Sequence, residues 1–101
     1  MDIPVITLNG EEVQATKPKA IAWRKLMEFD QNKAEVPAAE YITKHCEALA
    51  YIYPVDAERI EEEADLDEIY FAYHNALVYI TGLLTAKLGS DNDEKNGEAA
   101  K

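Results

Sequence analysis

The chain has little of what catalytic and cofactor-binding proteins are usually built from. Its 101 residues include one cysteine, Cys46, and two histidines, His45 and His74. A single cysteine excludes an internal disulfide and fits a reducing compartment. No C-x-x-C, H-x-x-x-H or Glu-x-x-His spacing occurs. His45 and Cys46 are adjacent, so on a helix they point about 100° apart, and no metal site is expected. There is no glycine-rich phosphate loop and no nucleophile elbow, and Cys46 and His74 both fall within apolar helical stretches. The reading is a protein that is not an enzyme and needs no cofactor.

Positive charge is also scarce. Ten Lys and Arg stand against twenty Asp and Glu, a net charge of −10. Unaided binding to DNA or RNA is disfavoured, since that affinity comes largely from neutralising phosphates. Anionic membrane surfaces are disfavoured for the same reason. The opening residues MDIPVITLNG lack the basic start and apolar run of a secretory signal.

What the chain does have is one long uncharged stretch. Residues 66–88 read LDEIYFAYHNALVYITGLLTAKL, with no formal charge between Glu68 and Lys87. Leu66, Tyr70, Tyr73, Leu77, Ile80 and Leu84 recur at alternating steps of four and three, which predicts one apolar stripe of a helix. Ile69, Phe71, Val78, Tyr79 and Leu83 lie off that stripe, so the helix is apolar nearly all round. Such a helix is buried by its own chain, by copies of itself, or by lipid. His74, Asn75, Thr81 and Thr85 weigh against lipid, and burial in protein is expected. The helix would be about 34 Å long, more than the roughly 26 Å diameter of a compact domain this size, so part of it would project.

The remaining elements predict a mainly α fold of about four helices with a short N-terminal β-hairpin, all in one domain over residues 1–89. The hairpin spans about residues 3–15, turning at Asn9-Gly10, the favoured type I′ pair. Pro18 opens a first helix over about 19–30, with Ala22, Leu26 and Phe29 facing the core and Trp23 and Met27 on a flank. A polar connector, Gln31–Val36, leads to Pro37 and a second helix over about 38–52. Its apolar face is Ala38, Ile42, Cys46 or His45, Leu49 and Tyr53, and Pro54 stops it. Asp56 is placed to cap a short helix over 57–63. Asp65 and Glu68 are placed as a capping box for the long helix over 66–88, which Gly89 terminates. Residues 90–101 have no apolar periodicity and are expected to be a disordered tail.

Charge is segregated along the chain. Residues 17–33 carry Lys17, Lys19, Arg24, Lys25 and Lys33 against Glu28 and Asp30, whereas residues 56–68 carry eight acids against Arg59. Two solvated faces are the plain account. The sharper one is a head-to-tail contact between the acidic segment of one copy and the basic segment of the next, giving a ring or a spiral. The candidate interaction residues are therefore Lys19, Arg24 and Lys25, with Glu61, Glu62 and Asp65 opposite. Trp23, Met27, Tyr70, Tyr73 and Leu77 would supply apolar contact, although most of the long stripe is expected to be core. A different reading is an acidic regulator that imitates nucleic acid and blocks a basic partner.

The order ITLNG hairpin, Lys/Arg-bearing helix, helix ending in YIYP, AERIEEEADLDE segment, long apolar-aromatic helix and polar tail covers residues 3–88. In that order and texture the chain resembles the tail assembly chaperones of long-tailed bacteriophages and related prophages. The resemblance implies a mostly helical protein of the host bacterial cytoplasm that coats the tape-measure protein and helps recruit tail-tube subunits. It implies departure before the virion is complete, and assembly of copies as spirals. It also implies a longer product made by ribosomal frameshifting, for which the segment after Gly89 would be a suitable joint.

Overall fold

Asn9 and Gly10 both adopt positive φ, 51° and 82°, the backbone that a type I′ turn requires and that Asn-Gly tolerates best. The turn joins β1 (Val5–Leu8) to β2 (Glu11–Gln14) as an antiparallel pair with Leu8 opposite Glu11 and Ile6 opposite Val13. The computed structural model describes residues 3–96, and side chains as far as Ala86. After the hairpin come α1 (Ala20–Asn32), a 3-10 turn (Lys33–Glu35), α2 (Ala38–Leu49), α3 (Ala57–Glu63) and α4 (Leu66–Asn96). The expected class, four helices and one small hairpin, is the observed one.

Two strands alone are marginally stable, and the helices supply what the hairpin lacks. Ile6 and Leu8 point inward and are fully buried in a core shared with Leu26, Leu49, Ile52, Ile60 and Ile69. The outer edge of β1 is closed by acids and carbonyls. The Thr7 amide donates to Glu68 Oε2 at 2.9 Å, and the Asn9 amide to the Glu63 carbonyl at 3.1 Å. At the other end, the Thr16 amide and hydroxyl both donate to the Ile52 carbonyl, each at 2.8 Å. Arg59 joins Glu11 of β2 at 2.8 Å to Glu63 at 3.1 Å.

Glu68 therefore has a different role from the one its sequence position suggests. Asp65 does sit just before α4, but the Glu68 carboxylate reaches the sheet edge rather than back to the helix start. A strand amide facing the helix has no other acceptor, and an anionic acceptor makes the stronger bond. Glu68→Ala is expected to lower stability by about 1–3 kcal/mol, whereas Asp67→Ala, at the exposed neighbouring position, changes it by less than about 0.5 kcal/mol. Urea titration of the two variants measures the difference, and equal effects would refute this role. Asp56 likewise stands at the start of α3 but makes no side-chain capping bond.

The helix ends differ from expectation by a few residues. α1 runs two residues further, to Asn32, whose side-chain Nδ2 donates to the Glu28 carbonyl at 2.8 Å. α2 stops at Leu49 instead of Ile52, because the chain tightens into i→i+3 bonds there, Tyr51 to Ala48 and Ile52 to Leu49. That turn aims the Ile52 carbonyl at Thr16, and Ile52 and Tyr53 enter the core from outside the helix. α4 does not stop at Gly89; its backbone continues to Asn96. A glycine within a helix costs only ~1 kcal/mol, and no proline follows to force an end. The rest of the expected tail, residues 97–101, lies outside the described residues.

A candidate interaction surface

The α1 stripe falls where its spacing predicts. Ala22 and Leu26 are fully buried, while Phe29, Trp23 and Met27 pack partly buried against the core. On α2, His45 and Cys46 are both buried, together with Leu49, and Ala38 is exposed.

The inward side of α4 is not the predicted one. Its buried residues are Ile69, Ala72, Tyr73, Ala76, Tyr79 and Ile80. Only Tyr73 and Ile80 belong to the expected stripe, so the buried arc is turned by about 80° at 3.6 residues per turn. Leu66, Tyr70 and Leu84 are exposed and Leu77 is half-buried. Two alanines lie in the buried arc because α4 packs against α2 and β1, and small residues let helices and strands approach closely. Larger side chains one position further round stay outside.

Tyr73 anchors the junction of α1, α2 and α4. Its hydroxyl donates to Asp30 Oδ1 at 3.0 Å, and Lys33 pairs with the same oxygen at 3.0 Å. The Lys33 ammonium also stands 5.5 Å above the Tyr73 ring. Burial, then the bond to Asp30, pushes the Tyr73 hydroxyl well above its ordinary range, and the bond from Lys33 holds Asp30 below its own. His45 is enclosed by Phe29, Tyr41 and Tyr73, each edge-on at 4.7 Å between centroids, with Tyr70 at 5.3 Å. Its Nδ1–H donates to the Tyr41 carbonyl at 2.9 Å, a contact that selects that tautomer because a carbonyl can only accept.

Burial lowers the pKa of His45, the Tyr41 carbonyl opposes this, and Lys33 adds to the lowering. A histidine depressed in the folded state leaves stability intact above its unfolded value of ~6.5 and loses it as pH falls through the folded value. The urea midpoint is therefore expected to fall between pH 7.5 and pH 5, and His45→Gln should flatten that dependence. An equal fall in the variant would show that other groups cause it.

Cys46 and His74 form no reactive pair. Cys46 is buried in α2 and its thiol is pushed up to about 11 by burial and by Glu61 and Glu47, so it is not a nucleophile near neutral pH. His74 points outward from α4. Among the described residues no group of three or more His, Cys, Asp or Glu could hold a metal ion. No described helix is long and apolar enough to cross a membrane.

The predicted interaction residues do not form one surface. Tyr73 is core. Arg24 and Lys25 both pair with Glu28, at 3.2 and 3.8 Å, so much of the α1 charge is satisfied within its own helix. Glu61, Glu62 and Asp65 are exposed on and beside α3, where Glu61 accepts from the Thr43 hydroxyl at 3.0 Å. Lys19 and Trp23 do converge, at a groove of about 510 Å³ between the start of α1 and α4. Pro18, Ile80, Leu83 and Leu84 form its floor and walls with Trp23, and Lys17 joins Lys19 at the rim. Among the described residues no acid lines this groove, although the whole chain carries a net charge of −10.

Lys17, Pro18, Ala20, Ile80, Leu83 and Leu84 are the groove residues missing from the sequence-based set. The signal was present in part: Leu84 lies on the expected stripe, and Leu83 is one of too many apolar residues for a single buried arc. Nothing in the spacing, however, says that the C-terminal part of α4 passes beside Pro18. Compared with protein-family models, with curated proteins and with solved structures, the chain has no match.

Proposed function

We propose that this chain is a non-enzymatic assembly chaperone for a long helical client, of the kind that coats the tape-measure protein of a phage tail and helps recruit tail-tube subunits. The observation that carries the reading is the Trp23 groove. An apolar trough beside a helix, with a tryptophan in its wall and lysines at its rim, suits an amphipathic helix that brings apolar anchors and acidic flanks. Such binding needs no reaction and is reversible, and release follows when another subunit competes for the client. The setting in this reading is the host cytoplasm, with the protein leaving before the virion is finished.

The ion pairs of α1 alter the self-association that the charge segregation suggested. With Arg24 and Lys25 engaged by Glu28, a head-to-tail contact would rest on Lys17 and Lys19 against the acids of α3.

Co-expression with the tape-measure protein encoded nearby, followed by pull-down and light scattering, tests the reading. The expected result is a soluble complex with several copies of this chain per client. Trp23→Ala should weaken it by roughly thirtyfold, as loss of an interface anchor does. Because Trp23 also touches the core, the double charge reversal Lys17→Glu/Lys19→Glu serves as the exposed counterpart and should weaken the complex without lowering stability. No complex, or one indifferent to all three positions, overturns the proposal.

A further inference from the structure

Leu66 is the most exposed large apolar side chain among the described residues, at 63%. It opens α4 at the corner where α3 ends, between Asp65 and Asp67. Both acids are exposed, and neither has an ion-pair partner among the described residues. No other exposed large apolar side chain among those residues has an acid on each side in sequence. Tyr70, one turn further on, is 46% exposed on the same side of the helix. The groove at Trp23 has the opposite character. Lys17 and Lys19 at its rim are exposed and unpaired among the described residues, and no acid among them lines it. The spacing matches as well: the acids stand two positions apart across Leu66, and the lysines two positions apart across Pro18. Leu66 lies about 21–27 Å along α4 from Ile80 and Leu84 of the groove, so a chain cannot fill its own groove with this corner.

We propose that the groove at Trp23 takes the Asp65-Leu66-Asp67 corner of a second copy of this chain. Leu66 enters between Trp23 and Leu84 with Tyr70 behind it, and Asp65 and Asp67 meet Lys17 and Lys19. A groove of about 510 Å³ has room for both apolar side chains. Charge decides the occupant. Chains with a net charge of −10 repel one another unless the surfaces that meet pair acids with bases, and here two acids face two lysines. The contact is small, one apolar corner and two exposed ion pairs, so it is weak, reversible and sensitive to salt. It covers the groove until a helical client displaces it. It does not rest on the chaperone reading, because it needs only this chain.

Sedimentation velocity of the full chain from micromolar to hundreds of micromolar tests the proposal, with the emission of Trp23, the one tryptophan, followed over the same range. The expected result is association that grows with concentration and weakens in molar salt, with Trp23 emission moving to shorter wavelength as the groove is covered. Leu66→Ser should weaken it about tenfold. Lys17→Glu/Lys19→Glu and Asp65→Lys/Asp67→Lys should each weaken it by at least about tenfold, with circular dichroism showing the variants folded. Mixed in equal amounts, the two charge-reversed chains should associate again, because each corner then finds a groove of opposite charge. A monomer throughout the range, association indifferent to Leu66→Ser or to either reversal, or a mixture that stays monomeric overturns the proposal. The Asp65→Lys/Asp67→Lys chain keeps its groove, so binding of the tape-measure protein by that variant tests the chaperone reading separately.

Discussion

Ala76→Asp is expected to unfold the protein or bring it close to unfolding. Ala76 is completely buried in the inner arc of α4, within a cluster of apolar side chains. An aspartate there must remain charged without a partner or be protonated at a large cost, and either route costs several kcal/mol. The whole stability of a domain this size is about 5–15 kcal/mol. Asn75→Asp, one residue earlier and exposed, should change stability by less than about 0.5 kcal/mol. The pair distinguishes the observed orientation of α4 from its alternatives, because rotating the helix by one position exchanges their environments. Thermal and urea denaturation of both variants decide it. Similar losses at 75 and 76 would mean that α4 is buried on more sides than the fold provides.

Tyr73→Ala is the second large effect. Removing the ring empties the junction between α1, α2 and α4, at an expected cost of about 3–5 kcal/mol. Tyr73→Phe keeps the ring and loses only the bond to Asp30, for about 1–2 kcal/mol. Tyr70→Ala should cost less than about 1.5 kcal/mol, since its ring touches Tyr41 and His45 but nearly half of it is in water. On sequence the two tyrosines are equivalent members of one stripe. Stability measurements that rank them equally would restore that stripe and contradict the packing.

A mixed picture of the surface follows from the same rotation. Phe71 and Val78 lie outside because the arc through Ala72 and Ala76 lies inside. Leu83 falls within the inward arc but beside the start of α1, so it borders the groove at Trp23 instead of entering the core. A single helix thereby contributes to the core, to the groove and to the open outer face, each through a different set of apolar residues.

Local signals determined most of the framework. Asn9-Gly10 specified the hairpin because few other residue pairs tolerate two consecutive positive φ values. Pro18, Pro37 and Pro54 bracketed the first two helices because proline removes a donor and restricts the residue before it. The α1 face, Ala22, Leu26 and Phe29, was legible because Arg24, Lys25 and Glu28 lie away from it, although Ile21 stays exposed outside it. The pairing of Arg24 with Glu28 follows from their spacing of four.

Tertiary structure alone decided what α4 does with its sides. With no charge from residue 69 to 86, hydropathy does not select a side, and the stripe chosen for its large residues was the wrong one. The packed neighbours chose the arc containing Ala72 and Ala76 because the backbone of α4 can come close there. The same long-range geometry turned Glu68 from a helix-capping residue into an acceptor for the sheet edge, and placed Leu83 and Leu84 beside Trp23. These outcomes depend on which surfaces meet across sixty residues of chain, and periodicity within one element carries no information about that meeting.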